Sequence, residues 1–375
     1  MQAAESIEMV IGKWFLIFLM FTLRYSSSVV TPPDAAMFVL GDSSVDCGEN
    51  NPLNGFLHQN LSRFPCNGSD TTLLPQLLGN LSLSSSHVEL FIVVSFSENE
   101  NAAKKMGFPY STPFYSQNGS IKGIIDGLNF GSAEATILYR YSGSLSYQSL
   151  NQQLRQAFET IQLLELQLGE ETANNFIRSS IFYLSFGKDD LTDFFYNKSL
   201  GHSSEEFTDI LVHQMRNAIT SLYASNVRKV ICAGVLPLGC APHVLRNITR
   251  KQGCLQELNE VVLYYNKRLE ESIVAIDAEL VDARLVFCDV YQPVMDFINN
   301  PNKYGIEDVR NACCGGVSGC TSTEMACREA STHVWWDLYN PTPAINSLLA
   351  HSAWSLSSIC RPFSLKHLLL SSSSP

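Results

Sequence analysis

Short apolar runs alternating with long amphipathic stretches constrain this chain more than any other feature. Residues 36–40, 180–186, 229–235 and 283–290 each read as a buried strand. Residues 148–168, 204–224, 255–280 and 342–354 read as helices. In the first of these helices Leu150, Leu154, Ala157, Ile161, Leu164 and Leu168 share one face. Strands separated by helices in this rhythm predict an α/β fold of three layers, α/β/α, around a central parallel sheet. Shorter signals are a helix over 73–78, a strand over 90–96 and a loop at 127–132 that opens into a helix. The helix over 204–224 starts on Ser204-x-x-Phe207, which lacks the acidic partner of a capping box.

Composition fits one such domain. Of 375 residues, 45% are hydrophobic and 16% charged, which suits a core-forming chain, and no repeat or long linker marks a second domain. The net charge is −11 and no basic cluster is interleaved with aromatics, so nucleic acid is not an expected partner. At the N-terminus Lys13, an apolar run over 14–23 and Ser26-Ser27-Ser28 have the flanks and length of a secretory leader, too short for a stable membrane span. Cleavage is expected near Ser28. Sequons at Asn60, Asn67, Asn80, Asn118, Asn197 and Asn247 agree with a secreted glycoprotein, whereas Pro341 disqualifies Asn340. The 11 cysteines lack zinc-like pairs and predict disulfides, with pairing expected within 313–327 and at least one thiol left over. The expected organisation is a leader at 1–28, a single domain at 29–360 and a disordered serine-rich tail at 361–375.

The run 36–40 stops at Gly41-Asp42-Ser43. A buried parallel strand that ends so abruptly delivers a side chain to the carboxyl edge of its sheet, where open α/β folds place their sites. That side chain is Ser43. With Phe38-Val39-Leu40 before it and Asp46 and Gly48-Glu49-Asn50-Asn51 after it, the stretch resembles the GDSL esterase/lipase family of plants, part of the SGNH hydrolases. Further matches are Leu77-Leu78-Gly79, Gly107-Phe108-Pro109-Tyr110, Pro237-Leu238-Gly239-Cys240, Cys288-Asp289-Val290-Tyr291, Asn300-Pro301, Tyr304-Gly305 and Ala312-Cys313-Cys314-Gly315. Residues 82–105 match nothing in the family and read as an atypical insertion. The resemblance implies the flavodoxin-like SGNH fold and a serine nucleophile, Ser43, acting on a carboxylic ester of a lipid, an acylated small molecule or a glycan.

The same resemblance exposes three departures at positions where chemistry is done. The family's Asn-Phe-Ala-x-x-Gly-Ala block gives an oxyanion donor from its last glycine; here the block is 129–135 and that position is Glu134. Its Gly-x-Asn-Asp block gives an asparagine amide; here it is Gly187-Lys188-Asp189-Asp190, and an ionised Asp189 only accepts hydrogen bonds. Its Trp-Asp-x-x-His block sets acid and base one helical turn apart; here it is Trp336-Asp337-Leu338-Tyr339-Asn340, with Asp337 retained and Asn340 where the base should be. An amide cannot cycle a proton, and a triad without its base keeps only about 10³–10⁴-fold catalysis. His333 and His351 lie near in sequence but read more simply as surface or core histidines, and two neighbouring aspartates favour the charged form of Lys188.

Three readings follow. Ser43 serves a hydrolase, with activity impaired; or the pocket survives in a catalytically inactive relative that binds an acyl or glycan ligand; or Glu134, Asp189, Asp337 and Asn340 gather around a hard cation. The first is adopted, with catalytic positions Ser43, Asp337 and Asn340 and oxyanion-hole positions Glu134 and Asp189. No cofactor and no metal are expected. The partner is an ester-bearing small molecule or lipid, the protein is a monomer, and its place is extracellular, in the cell wall or apoplast.

Overall fold

The computed structural model describes residues 32–46, 108, 111–138, 148–197, 201–246, 253–315, 320, 326–355 and 359–370. The leader, the helix expected at 73–78, the strand expected at 90–96 and the insertion at 82–105 lie outside the described residues.

Strand β1 (Met37–Gly41) is followed by the two-residue β2 (Thr112–Pro113), helix α1 (Ile121–Ile125) and the equally short β3 (Leu128–Asn129). Helices α2 (Leu150–Leu168) and α3 (Glu170–Ser179) lead into β4 (Ile181–Ser185), α4 (Lys188–Asn197) and α5 (Ser204–Ala224). Then come β5 (Lys229–Ala233), α6 (Pro242–Leu245), α7 (Gln256–Glu279), β6 (Arg284–Cys288) and α8 (Tyr291–Asn299). The remaining strands and α-helices among the described residues are β7 (Asp308–Ala312), β8 (His333–Trp335), α9 (Pro343–Ser355), β9 (Cys360–Arg361) and α10 (Leu365–Leu370).

The main sheet runs β2-β3-β1-β4-β5-β6-β9, parallel except for the antiparallel edge strand β9. Strands β7 and β8 pair separately. Alternation along β1 and β4 fills both faces. Met37, Val39, Ile181 and Tyr183 pack under Ala350, Ala353 and Trp354 of α9, and on the other face Phe38 stacks on Phe182 and meets Phe176 of α3 edge-on. This is the three-layer α/β/α sandwich. Strand order reverses between β1 and β4, so the crevice at their carboxyl ends is where such folds bind ligands.

Three local expectations need correction. The helix at 204–224 does carry a capping box, but one residue earlier than read: Ser203 accepts from the Glu206 N–H while Glu206 accepts from the Ser203 N–H. The loop at 127–132 contains strand β3, because Leu128 and Asn129 hydrogen-bond between β1 and β2. The disorder expected from 361 fails over 361–370, where β9 continues into α10 and Leu365 and Leu368 are fully buried beneath the sheet.

Disulfides join Cys313 to Cys327 and Cys314 to Cys320, as expected for that stretch, and also Cys240 to Cys254 and Cys288 to Cys360. Cys232 is the free, buried thiol among the described residues. None of the described helices is long and apolar enough to cross a membrane.

Candidate active site

Strand β1 ends where it does because only a glycine fits. A Cβ on Gly41 would stand 2.6 Å from the Ser185 carbonyl oxygen and 2.4 Å from Val45 Cγ2. The freed backbone is gripped by Gln153, which accepts the Gly41 N–H at 2.8 Å and donates to the Gly41 carbonyl at 2.9 Å. Asp42 then turns the chain: its Oδ1 accepts the Ser44 N–H at 2.9 Å, and its Oδ2 accepts the Lys188 N–H at 3.0 Å. Burial, and next the charge of Asp189, push the Asp42 carboxyl up to about 6, with Lys188 opposing. Ser43 is thereby presented, half-buried, at the switch point.

The block 129–135 wraps this loop from the other side. Asn129 donates to the Val45 carbonyl at 2.7 Å, and Asp46 accepts the Ala133 N–H at 2.7 Å. Glu134 sits at φ +59°, in the left-handed region that favours the glycine of the family pattern. The turn that contains it is closed by the Ala135 N–H on the Ser132 carbonyl, 3.1 Å. Glu134 itself is exposed and joins no hydrogen bond or ion pair among the described residues.

After β4, Gly187 takes φ +112° against the Tyr265 ring and starts α4. The first residues of that helix split their tasks. Asp190 turns inward and accepts the N–H groups of Ile137 at 2.9 Å and Leu138 at 3.2 Å; burial pushes it up to about 7 despite those two bonds. Asp189 turns to Ser43. Its two oxygens accept the Ser43 hydroxyl at 2.8 and 3.0 Å, and Oδ2 also takes the Ser43 N–H at 3.3 Å. A carboxylate thus occupies the Ser43 N–H as well as its hydroxyl.

Lys188 completes a chain that sequence reading missed. Its side chain is only 6% exposed, with Nζ 3.9 Å from Asp189 Oδ1, 3.2 Å from Asn340 Oδ1 and 5.6 Å from the Tyr339 ring centre. Asn340 in turn donates from Nδ2 to Asp337 Oδ2 at 2.9 Å. Ser43, Asp189, Lys188, Asn340 and Asp337 therefore form one continuous polar chain, and Glu134 stands outside it. The signal for Lys188 was present in the sequence, since a lysine between Gly187 and two aspartates must place its charge somewhere, but its partner 152 residues away was not readable.

The segment with Asp337 and Asn340 is a tight turn between β8 and α9, not the helical turn expected. Asp337 Oδ1 closes it by accepting the N–H groups of Tyr339 at 2.9 Å and Asn340 at 2.7 Å. Among the described residues the hydrogen bonds of Ser43 go to Asp189 and neither alternative histidine joins them. His333 Nδ1 lies 3.2 Å from Thr332 Oγ1 and 3.3 Å from the Glu329 carbonyl, and His351 is exposed on α9. The cation reading also finds no geometry: among the described residues no three metal-ligating side chains gather, and the ammonium of Lys188 stands among these oxygens instead. A cavity of about 40 Å³ lies beside the chain, between Asp42, Ser44, Lys188 and Asn346 and the apolar Val235 and Leu349.

Relatives by sequence fall in one family. The family described as GDSL-like lipase/acylhydrolase matches residues 37–353. One GDSL esterase/lipase of Arabidopsis thaliana is 30% identical over 356 residues, covering 89% of this chain and 91% of its own. Another from the same plant is 29% identical over 334 residues, covering 85% and 84%. Among solved structures, an acetylxylan esterase from Geobacillus stearothermophilus covers 86% of this chain and 94% of its own at 10% identity, a loose likeness with a TM-score of 0.37. The chain belongs to the GDSL lipase/acylhydrolase family and, by that resemblance, is a carboxylic ester hydrolase.

Proposed function

We propose that the chain is a secreted, glycosylated, monomeric hydrolase that attacks an ester of a lipid, an acylated small molecule or a glycan through Ser43, with turnover well below that of a complete triad. One observation carries the reading: Ser43 stands at the sheet's switch point with its hydroxyl already bonded to a proton acceptor at 2.8 Å. Reduced turnover is supported by Asn340, both ends of whose amide are taken, one by Asp337 and the other by Lys188. Secretion rests on the leader at 1–28 and the sequons, of which Asn118 is exposed. It makes the extracellular space, cell wall or apoplast, the expected location.

A second reading is favoured by the Ser43 N–H, which Asp189 holds at 3.3 Å where an oxyanion would need it. On that reading the pocket binds an acyl or glycan ligand without cleaving it. Hydrolysis of a short-chain p-nitrophenyl ester by the secreted protein, beside Ser43→Ala, separates the two. Slow hydrolysis that disappears in Ser43→Ala supports the hydrolase; hydrolysis absent, or equal in both, removes it.

A further inference from the structure

The departures at Asp189 and Asn340 look like two separate losses, but the geometry joins them. A serine nucleophile needs a base within about 2.6–3.2 Å of its hydroxyl. Asn340 is excluded, because its Nδ2 is committed to Asp337 and its Oδ1 accepts from Lys188. Asp189 meets the requirement twice over, at 2.8 and 3.0 Å. Its side chain is 17% exposed, enough shielding to limit competition from water. Among the described residues, the titratable groups facing it include Asp42 from the loop after β1, Lys188 and Asp190 from its own helix, and Tyr339 from the turn after β8.

We infer that the proton-acceptor role has moved from the Asn340 position to Asp189, so that Ser43 and Asp189 form the working pair and Lys188 remains its fixed cation. The inference rests on the reading that Ser43 cleaves esters. As the Ser43 oxygen bonds to the carbonyl carbon, its proton passes to Asp189 and the carbonyl electron pair moves onto the substrate oxygen. When that pair returns, the bond to the alcohol oxygen breaks and Asp189 gives its proton to the departing alkoxide. A water then yields a proton to Asp189 and attacks the acyl carbon. Asp189 returns the proton to Ser43 as the acid leaves. Taking the Ser43 proton neutralises Asp189 while negative charge appears on the substrate, so the net charge beside Lys188 is conserved through the step. A carboxylate is a weaker base than imidazole, which agrees with slow turnover.

The test uses the full secreted chain, p-nitrophenyl acetate and four forms: wild type, Ser43→Ala, Asp189→Asn and Asp189→Ala with and without formate. Asp189→Asn restores the family's oxyanion donor but removes the base, so the two interpretations predict opposite signs. A relocated base requires kcat/KM to fall about 10²-fold or more, and formate to restore part of the activity of Asp189→Ala. A rise in Asp189→Asn, with Ser43→Ala inactive, would overturn the inference and leave the Ser43 reading standing. So would failure of formate to rescue an Asp189→Ala protein whose thermal midpoint matches wild type. Activity that survives Ser43→Ala, or no activity in wild type, overturns both.

Discussion

The loop carrying Ser43 is pinned from far away in the chain: Gly41 by Gln153, Asp42 by Ser185 and Lys188, Val45 by Asn129, Asp46 by Ala133. The turn carrying Asp337 and Asn340 is closed largely on itself. Asp337 accepts from Tyr339 and from both nitrogens of Asn340, and the Trp336 N–H bonds to the Asn340 carbonyl at 2.8 Å. In the first region neither Asp42 nor Asp46 can change without releasing a backbone N–H of a distant segment, of Lys188 and Ala133 respectively. In the second, the residue at 340 can change while the turn keeps its shape. The contrast bears on the departure at Asn340, whereas those at Glu134 and Asp189 lie in segments that pack against the Ser43 loop.

If the turn has kept its shape, chemistry is recoverable. Asn340 already donates to Asp337 as an imidazole N–H would. The double substitution Asn340→His with Asp189→Asn supplies an imidazole base and frees the Ser43 N–H for an oxyanion. We expect kcat/KM for p-nitrophenyl acetate to rise about 10²–10³-fold over wild type. No gain in a folded double variant would break the comparison, by showing that the turn no longer holds residue 340 in working register.

The first region is tested by Gln153→Ala. Gln153 is fully buried, and its removal strips partners from both the N–H and the carbonyl of Gly41. Each unsatisfied buried group costs about 1–3 kcal/mol, so urea unfolding should show a loss of roughly 3 kcal/mol. A loss under about 1 kcal/mol would mean that the distant grip on the loop is dispensable.

How much of this was legible in the sequence follows the same division between local and distant. The four five-residue strands of the main sheet are readable because parallel burial makes each a continuous apolar run, and 204–224 is helical throughout, as expected. The place of Ser43, just past the carboxyl end of a central strand, is readable from where β1 stops. The fate of the tail is not, because its serines dominate the composition while Leu365 and Leu368 are what the core uses. Nor is the rewiring of the site. That Asp189 turns toward Ser43 and Lys188 toward Asn340 depends on packing across 146 and 152 residues, respectively, which periodicity does not encode.

Asp42 and Asp190 belong to the distant-anchored side, and both are raised by burial, to about 6 and about 7. Their folded values exceed the roughly 3.9 of an unfolded aspartate. The folded state therefore binds protons that the unfolded state releases. The resulting stability is fully present below about pH 4 and is lost as pH rises through 6 and 7. The thermal midpoint should accordingly rise by a few degrees between pH 8 and pH 5. Asp282, lowered against partial burial by Arg178 and Arg228, and Asp296, lowered first by its Tyr304 hydrogen bond and then by Lys303, act in the opposite sense but are mostly exposed and count for less. A midpoint that falls steadily over this range would mean the two acids are not neutralised where they lie.

The smallest effect is the sharpest test of the self-contained turn. Asn340→Ala removes the Nδ2 bond to Asp337 and the Oδ1 bond from Lys188, yet leaves both backbone N–H groups on Asp337 and the Trp336 closure intact. The side chain is half-buried, so water replaces part of what is lost. The expected cost is about 1 kcal/mol or less, well under that of Gln153→Ala. A cost equal to that of Gln153→Ala would place residue 340 among the groups that hold the fold. Its departure from histidine would then need a structural cause, because substitution there would no longer be cheap.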